Sequence, residues 1–175
     1  MKDMMLLIEP LIPALRRYAR ALLRDRTAAD DLLQDCLERA ITRWHQRRAD
    51  GDARTWLFTI LHNLAISRLR QTARRGAPVG LDEADESVTA QPPTQEDALY
   101  HRDVLRALET LPEDQRGVLL LVSVEDLSYA ETARVLDIPI GTVMSRLSRA
   151  REKLSRALAP ATDAQAQRPT LWRVK

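Results

Sequence analysis

The sequence is poor in the residues on which β-rich, disulfide-linked and metal-dependent folds rely. Aromatic residues make up 4% and glycine occurs only 5 times, which disfavours turn-rich β architectures, since strands draw on aromatic and β-branched side chains and hairpins on glycine. The single cysteine, Cys36, cannot form an internal disulfide, and His45, His62 and His101 are too scattered to close a metal cage. Cys36 therefore reads as a small helix-packing residue. The longest apolar stretches, such as Gly117–Val124, are far too short to span a bilayer. Met1–Pro13 lacks a basic start followed by a small-residue cleavage site, so a cytoplasmic protein without membrane insertion is expected. Paired carboxylates, a nucleophile beside a base, a phosphate loop and metal-ligand spacings are all missing, so no enzymatic activity and no cofactor or metal are expected.

What the sequence has is apolar and charged residues, at 45% and 30% of 175 positions, with Leu and Ala dominant. That composition fits a packed all-α chain. The net charge is only +2, yet 24 of the 27 basic residues are Arg, and the charge is segregated. Between Asp52 and Arg75 the bases Arg54, Arg68, Arg70, Arg74 and Arg75 face one acid. Between Gly141 and Leu158, Arg146, Arg149, Arg151, Lys153 and Arg156 face only Glu152. Separating these two basic segments, Gly76–Asp97 carries six acids, no base, three prolines and two glycines, the composition of a flexible acidic linker.

Apolar residues at helical spacing predict helices over about Pro13–Arg24, Ala28–Arg43 and Ala53–Arg74, the second capped at Thr27 with Asp30 and the third at Asp52. Beyond the linker a helical face ends before Pro112, followed by helices over Glu113–Val124, Tyr129–Leu136 with Ser128 as cap, and Thr142–Leu158. The run Val118–Val122 reads first of all as core. Two small helical domains follow: residues 1–75, a linker at 76–97, residues 98–159, and a tail at 160–175.

The strongest local signal is LSYAETARVLDIPIGTVMSRLSRAREKL, Leu127–Leu154. A helix-turn-helix needs a small residue facing its second helix, here Ala133, and a break between the helices, here Asp137–Pro139. Thr142 is placed to cap the second helix. Thr142, Met144, Ser145, Ser148, Arg149 and Arg151 fall on its exposed face, with Val143, Leu147 and Leu154 turned inward, a geometry suited to the major groove of duplex DNA. A basic surface helix in an ordinary bundle is the alternative.

On these residues the chain resembles the extracytoplasmic-function (group IV) sigma factors of bacterial RNA polymerase, in the sigma-70 family. ALETLPEDQRGVLLLVSVEDLSYAETARVLDIPIGTVMSRLSRARE resembles their region 4, which reads the −35 element. AADDLLQDCLERAI resembles region 2.2, and RTWLFTILHNLAISRLRQ resembles regions 2.3 and 2.4, in the family's order over residues 5–158. The resemblance implies binding to core RNA polymerase through its β′ clamp and β flap. It also implies binding to promoter DNA, duplex at −35 and single-stranded at −10, and control by an anti-sigma factor. It places Gln34, with Asp31, Asp35 and Glu38, at the clamp-binding face. Asn63 matches a base-reading position of the −10 surface, with Arg68, Arg70, Arg74 and Arg75 as phosphate partners. Arg47, Arg48 and Arg54 fall in or beside the His45–Arg54 loop, which in the family captures a flipped base. Trp56 matches a packing anchor beneath that surface.

Two departures stand out. Many relatives carry Arg where Met144 stands, and HQRRADGDAR contains no aromatic residue to stack on a flipped base. His62, beside Asn63, reads as a surface helix residue that could add a pH-sensitive contact. Other readings are a stand-alone helix-turn-helix regulator and a sigma mimic that titrates an anti-sigma factor. The first lacks a dimerisation helix, and the second is opposed by basic residues kept in both DNA segments.

Overall fold

The computed structural model describes residues 2–47, 51–76 and 95–159. Among them the chain is helical throughout: α1 (Lys2–Ile8), α2 (Ile12–Leu23), α3 (Arg26–Thr42), α4 (Ala53–Arg75), α5 (Gln95–Glu109), α6 (Glu113–Ser123), α7 (Tyr129–Leu136) and α8 (Ile140–Leu158), with single 3-10 turns at Glu9–Leu11 and Trp44–Gln46. The expected linker lies outside the described residues from 77 to 94, and α5 begins within its expected span, at Gln95. The tail, 160–175, also lies outside them.

Two helix starts differ from the sequence expectation. The α3 cap is Asp25, whose carboxylate accepts from the Ala28 amide at 2.8 Å, and Asp30 instead pairs with Arg20. Asp25 prevails because its backbone is extended, with φ −139°, as an N-cap requires, while Thr27 already lies inside the helix. Likewise α8 begins at Ile140 behind Pro139, so Thr142 occupies its first turn rather than its cap. The caps read at Asp52 and Ser128 are as expected. Asp52 accepts from the Arg54 and Thr55 amides, and Ser128 and Glu131 form a reciprocal capping box.

The expected division into two domains is only partly visible in the packing. A smaller core joins Leu111, Val118 and Leu119 to Val143, Leu147 and Ala150 of α8. A larger one is built on α2, α3 and α4, and includes Leu15, Leu22, Leu33, Leu57, Phe58 and Leu61. Leu120, Leu121, Leu127 and Val135, from the second half, are buried in that same larger core. The run VLLLV is thus explained: α6 sends Val118 and Leu119 to one core and Leu120 and Leu121 to the other, so it has no solvent stripe there. Each such side chain contributes about 1.5–3 kcal/mol of burial.

Polar contacts cross the same seam. Glu125, 1% exposed, receives Arg17 in a two-pronged pair at 2.9 and 2.7 Å. Arg116, 4% exposed, donates to the carbonyls of Leu22, Leu108, Glu109 and Leu111, tying the end of α2 to the α5–α6 turn. At Gly117 a Cβ would lie 3.5 Å from both the His62 ring and the Tyr18 hydroxyl, an ordinary contact distance, so this side of α6 faces that pair directly. Cys36 is buried as expected, and burial pushes its thiol up to about 12, which leaves it unreactive.

His62 corrects the sequence reading: it is 9% exposed, under α6, with Nδ1 2.9 Å from the Tyr18 hydroxyl. Burial first, and the charge of Arg146 second, lower its pKa from 6.5 to about 4. Between those values the unfolded chain holds a proton that the folded chain refuses, so stability is full above pH 6.5 and falls as pH drops. The loss should reach about 2 kcal/mol by pH 5. Urea unfolding at pH 7.5 and pH 5 should show it in the native protein and not in His62→Gln. Arg116→Met should cost about 3 kcal/mol in urea unfolding by stranding buried carbonyls, and Arg116→Lys, with a point charge in place of a fork, should recover less than half.

Candidate nucleic-acid interface

The acidic cluster forms one face. Asp31, Gln34, Asp35 and Glu38 recur at helical spacing on α3 and are all exposed, opposite the buried Leu32, Leu33, Cys36 and Ala40. The Gln34 side-chain amide donates to Glu38 at 3.0 Å, which orients it along the face. Asp35 and Glu38 also line an open groove with Arg39, Thr42, Arg43 and Leu64, between α3 and α4.

The basic residues of α4 divide into two groups. Asn63, Ser67, Arg70 and Arg74 form one exposed stripe, with Arg75 exposed beside it in the last turn. Arg68 is off that stripe, and its guanidinium donates to the carbonyl of Ala28 on α3. Arg54, near the helix start, donates to the backbone carbonyl of Glu125 in the second half. The stripe is open to a nucleic-acid backbone, whereas Arg54 and Arg68 are engaged within the protein.

At the loop before α4, Arg48 lies outside the described residues. Arg47 donates to the carbonyl of Gly51 and lies over the ring of Trp44 at 4.7 Å, and that ring meets Trp56 edge-on at 5.8 Å. Trp56 is half-buried and packs against the larger core. The loop itself has no aromatic residue, but Trp44 stands immediately before it.

On α8, Met144 is 53% exposed, Ser145, Ser148, Arg149 and Arg151 are exposed, and Thr142 is half-buried. Val143 and Leu147 are buried, Leu154 is partly so, and Ala133 packs in the small core beneath them. The Ser145 hydroxyl donates to the Thr142 carbonyl at 3.1 Å, and Arg146 is turned to Asp114 at 3.2 Å, while Arg149, Arg151 and Lys153 are exposed. Pro139 provides no side-chain cap, and its carbonyl accepts from the Thr142 and Val143 amides at 2.9 and 3.2 Å. α7, the turn at Asp137–Pro139 and α8 thus form the expected helix-turn-helix. Among the described residues no group of His, Cys, Asp and Glu could hold a metal ion, and no helix is long and apolar enough to cross a membrane.

Residues 8–62 match the family model described as the Sigma2 domain of PhyR, and residues 101–154 match Sigma-70, region 4. The chain is 36% identical over 150 residues to the ECF RNA polymerase sigma factor EcfG of Rhodopseudomonas palustris, covering 84% of this chain and 80% of that one. It is 31% identical over 140 residues to the ECF RNA polymerase sigma-E factor of Escherichia coli, covering 74% and 73%. Among solved structures it resembles the sigma factor RpoE of Bartonella quintana, in complex with the anti-sigma factor NepR, with TM-score 0.76 and 32% identity over 90% of this chain and 98% of that one. It also resembles CnrH in complex with the cytosolic domain of CnrY, with TM-score 0.65 and 25% identity over 95% and 90%. With both halves matched in order and the helix-turn-helix in place, the chain belongs to the extracytoplasmic-function sigma factors of the sigma-70 family, which are transcription initiation factors rather than enzymes.

Proposed function

We propose that this chain directs core RNA polymerase to promoters through two surfaces: the exposed Asn63, Arg70, Arg74 and Arg75 of α4 at the −10 element, and the outer face of α8 at the −35 element. The observation that carries the reading is that α4 and α8 both keep an exposed basic face, α8 within the region 4 match at 101–154 and α4 where the chain runs on from the end of the first match at residue 62. Arg70, Arg74 and Arg75 neutralise phosphates, and Asn63 offers a donor and an acceptor to a base edge. Thr142, Met144, Ser145, Ser148, Arg149 and Arg151 enter the major groove, where Met144 favours a thymine methyl over the guanine that an Arg would take. Arg47 and Arg48 belong to the base-capture loop, Arg47 with its guanidinium supported by Trp44. Arg54 and Arg68 join the −10 surface after exchanging their carbonyl partners for phosphate.

The acidic face at Asp31, Gln34, Asp35 and Glu38 suits a basic partner and is assigned to the β′ clamp, with the second half meeting the β flap. Residues 1–75 and 98–159 are the two functional halves, joined by 76–97, with 160–175 as a tail. Control by an anti-sigma factor follows from relatives solved with NepR and CnrY. A second reading, a sigma mimic, is favoured by one observation: the model matched by the first half is named for PhyR, and the PhyR of Bartonella quintana is an anti-anti-sigma factor.

In vitro transcription of a genomic-fragment library with core polymerase separates the two. Start sites that require this protein and share −35 and −10 motifs support the sigma factor, and a lack of transcripts despite anti-sigma binding supports the mimic. On the promoters so found, Arg149→Ala should cost about 1–3 kcal/mol and relax preference at one −35 position, whereas Arg75→Ala should weaken all promoters alike. Equal losses across promoters from both would overturn the assignment of Arg149 to base reading.

A further inference from the structure

The exposed side of α8 changes character along its length. Its second half carries Arg149, Arg151, Lys153 and Arg156, all exposed, whereas its start, 140–145, has no charged residue. That start exposes two large apolar side chains instead, Ile140 at 51% and Met144 at 53%, the two most exposed outside α1 among the described residues. Four residues apart, they stand on one side of the helix, about 6 Å from each other along its axis at 1.5 Å per residue. Ser148 and Arg151 continue the same edge at the next intervals of four and three. The fold gives Ile140 no task. The turn before α8 is anchored by Ile138, which packs against the smaller core with Val143 and Leu147 of the inner side. Gly141 is a second, independent observation. A Cβ there would meet nothing within 4 Å, and its φ is not positive, so neither packing nor backbone conformation calls for glycine, which is unfavourable in a helix relative to alanine. A missing side chain beside two exposed apolar ones fits a partner that comes close to the helix backbone at this point.

We propose that Ile140 is a second methyl-reading residue beside Met144, and that the two together select a −35 element carrying two thymines one or two base-pair steps apart, with Gly141 letting the base edges approach the helix. The inference rests on the function proposed above and deepens it at the same face. Of the four bases, thymine alone puts a methyl group into the major groove. Ile140 and Met144 offer no strong hydrogen bond there, so their selectivity comes from covering that methyl. The 6 Å between them along the axis spans one to two steps of about 3.4 Å. Charge fits the same occupant. Arg151 at the end of the edge and Arg149 beside it hold a polyanion against the apolar patch, and α8 carries no acid before Glu152.

The test uses the full chain bound to core RNA polymerase and duplexes made from the promoters that require it. Single −35 thymines are replaced by deoxyuridine, which removes the methyl and keeps every hydrogen-bonding group, and binding is read by fluorescence anisotropy. With the native chain, replacing either of two thymines should lower affinity about fourfold, the effect of one buried methyl. Ile140→Ala should abolish the discrimination at one of them and Met144→Ala at the other. At both positions 5-methylcytosine should bind better than cytosine by the same factor. Gly141→Ala should weaken binding of thymine and deoxyuridine duplexes alike without lowering Tm, a loss that a glycine with a merely structural role would not produce. Equal binding of thymine and deoxyuridine duplexes by the native chain would overturn the methyl reading. An Ile140→Ala variant that still discriminates at both thymines would overturn the role of Ile140. Weaker binding of that variant to core polymerase without DNA would assign the apolar edge to a protein partner and overturn the inference as well. Absence of any promoter that requires the chain would instead overturn the proposed function itself, and this reading with it.

Discussion

Arg116 to Leu121 are six consecutive buried residues on α6, and no helix can bury such a run against a single partner. α6 must therefore be covered on two sides, by α8 on one and by α2 on the other, and this requirement organises the molecule. It explains why Gly117 faces His62 and Tyr18, and why the chain end of α2 is tied to Arg116 by a carbonyl contact. It also explains why an acid as hydrophilic as Glu125 ends up 1% exposed at the end of that helix, held by an arginine from α2.

The chain's arginines do two kinds of work, and their distribution separates framework from surface. Arg17, Arg54, Arg68 and Arg116 reach across to carbonyls or a carboxylate of distant segments, where a planar fork with several donors is more useful than an ammonium. Arg70, Arg74, Arg75, Arg149 and Arg151 stand on outer helix faces. The second group forms two clusters, on α4 and α8, and exposed positive charge of this kind provides a field that draws a polyanion. The acidic face of α3 lies on another helix, so surfaces of opposite sign stand on separate elements.

Most of this was legible from local pattern. The periodicity of apolar residues locates seven of the helices to within a few positions, and the cap at Ser128 and the break at Asp137–Pro139 mark the helix-turn-helix. The exposed positions on α3 and α8 follow from helical spacing alone, and so do the basic segments. Two local details differ. The sequence predicts a cap at Thr27, whereas the extended backbone at Asp25 makes that residue the cap, and the aromatic surface beside the base-capture loop is Trp44, which precedes the loop.

The sequence by itself determined an all-α chain with two basic helix faces, one acidic face and a helix-turn-helix, because those features depend on neighbours three or four residues away. Only the tertiary structure decided which arginines are free, that His62 is buried and neutral, and that the two halves share a core. These depend on partners such as Arg17 and Glu125, 108 positions apart, whose meeting leaves no periodic trace in the chain. A buried acid and an exposed one have the same letter, and packing alone tells them apart.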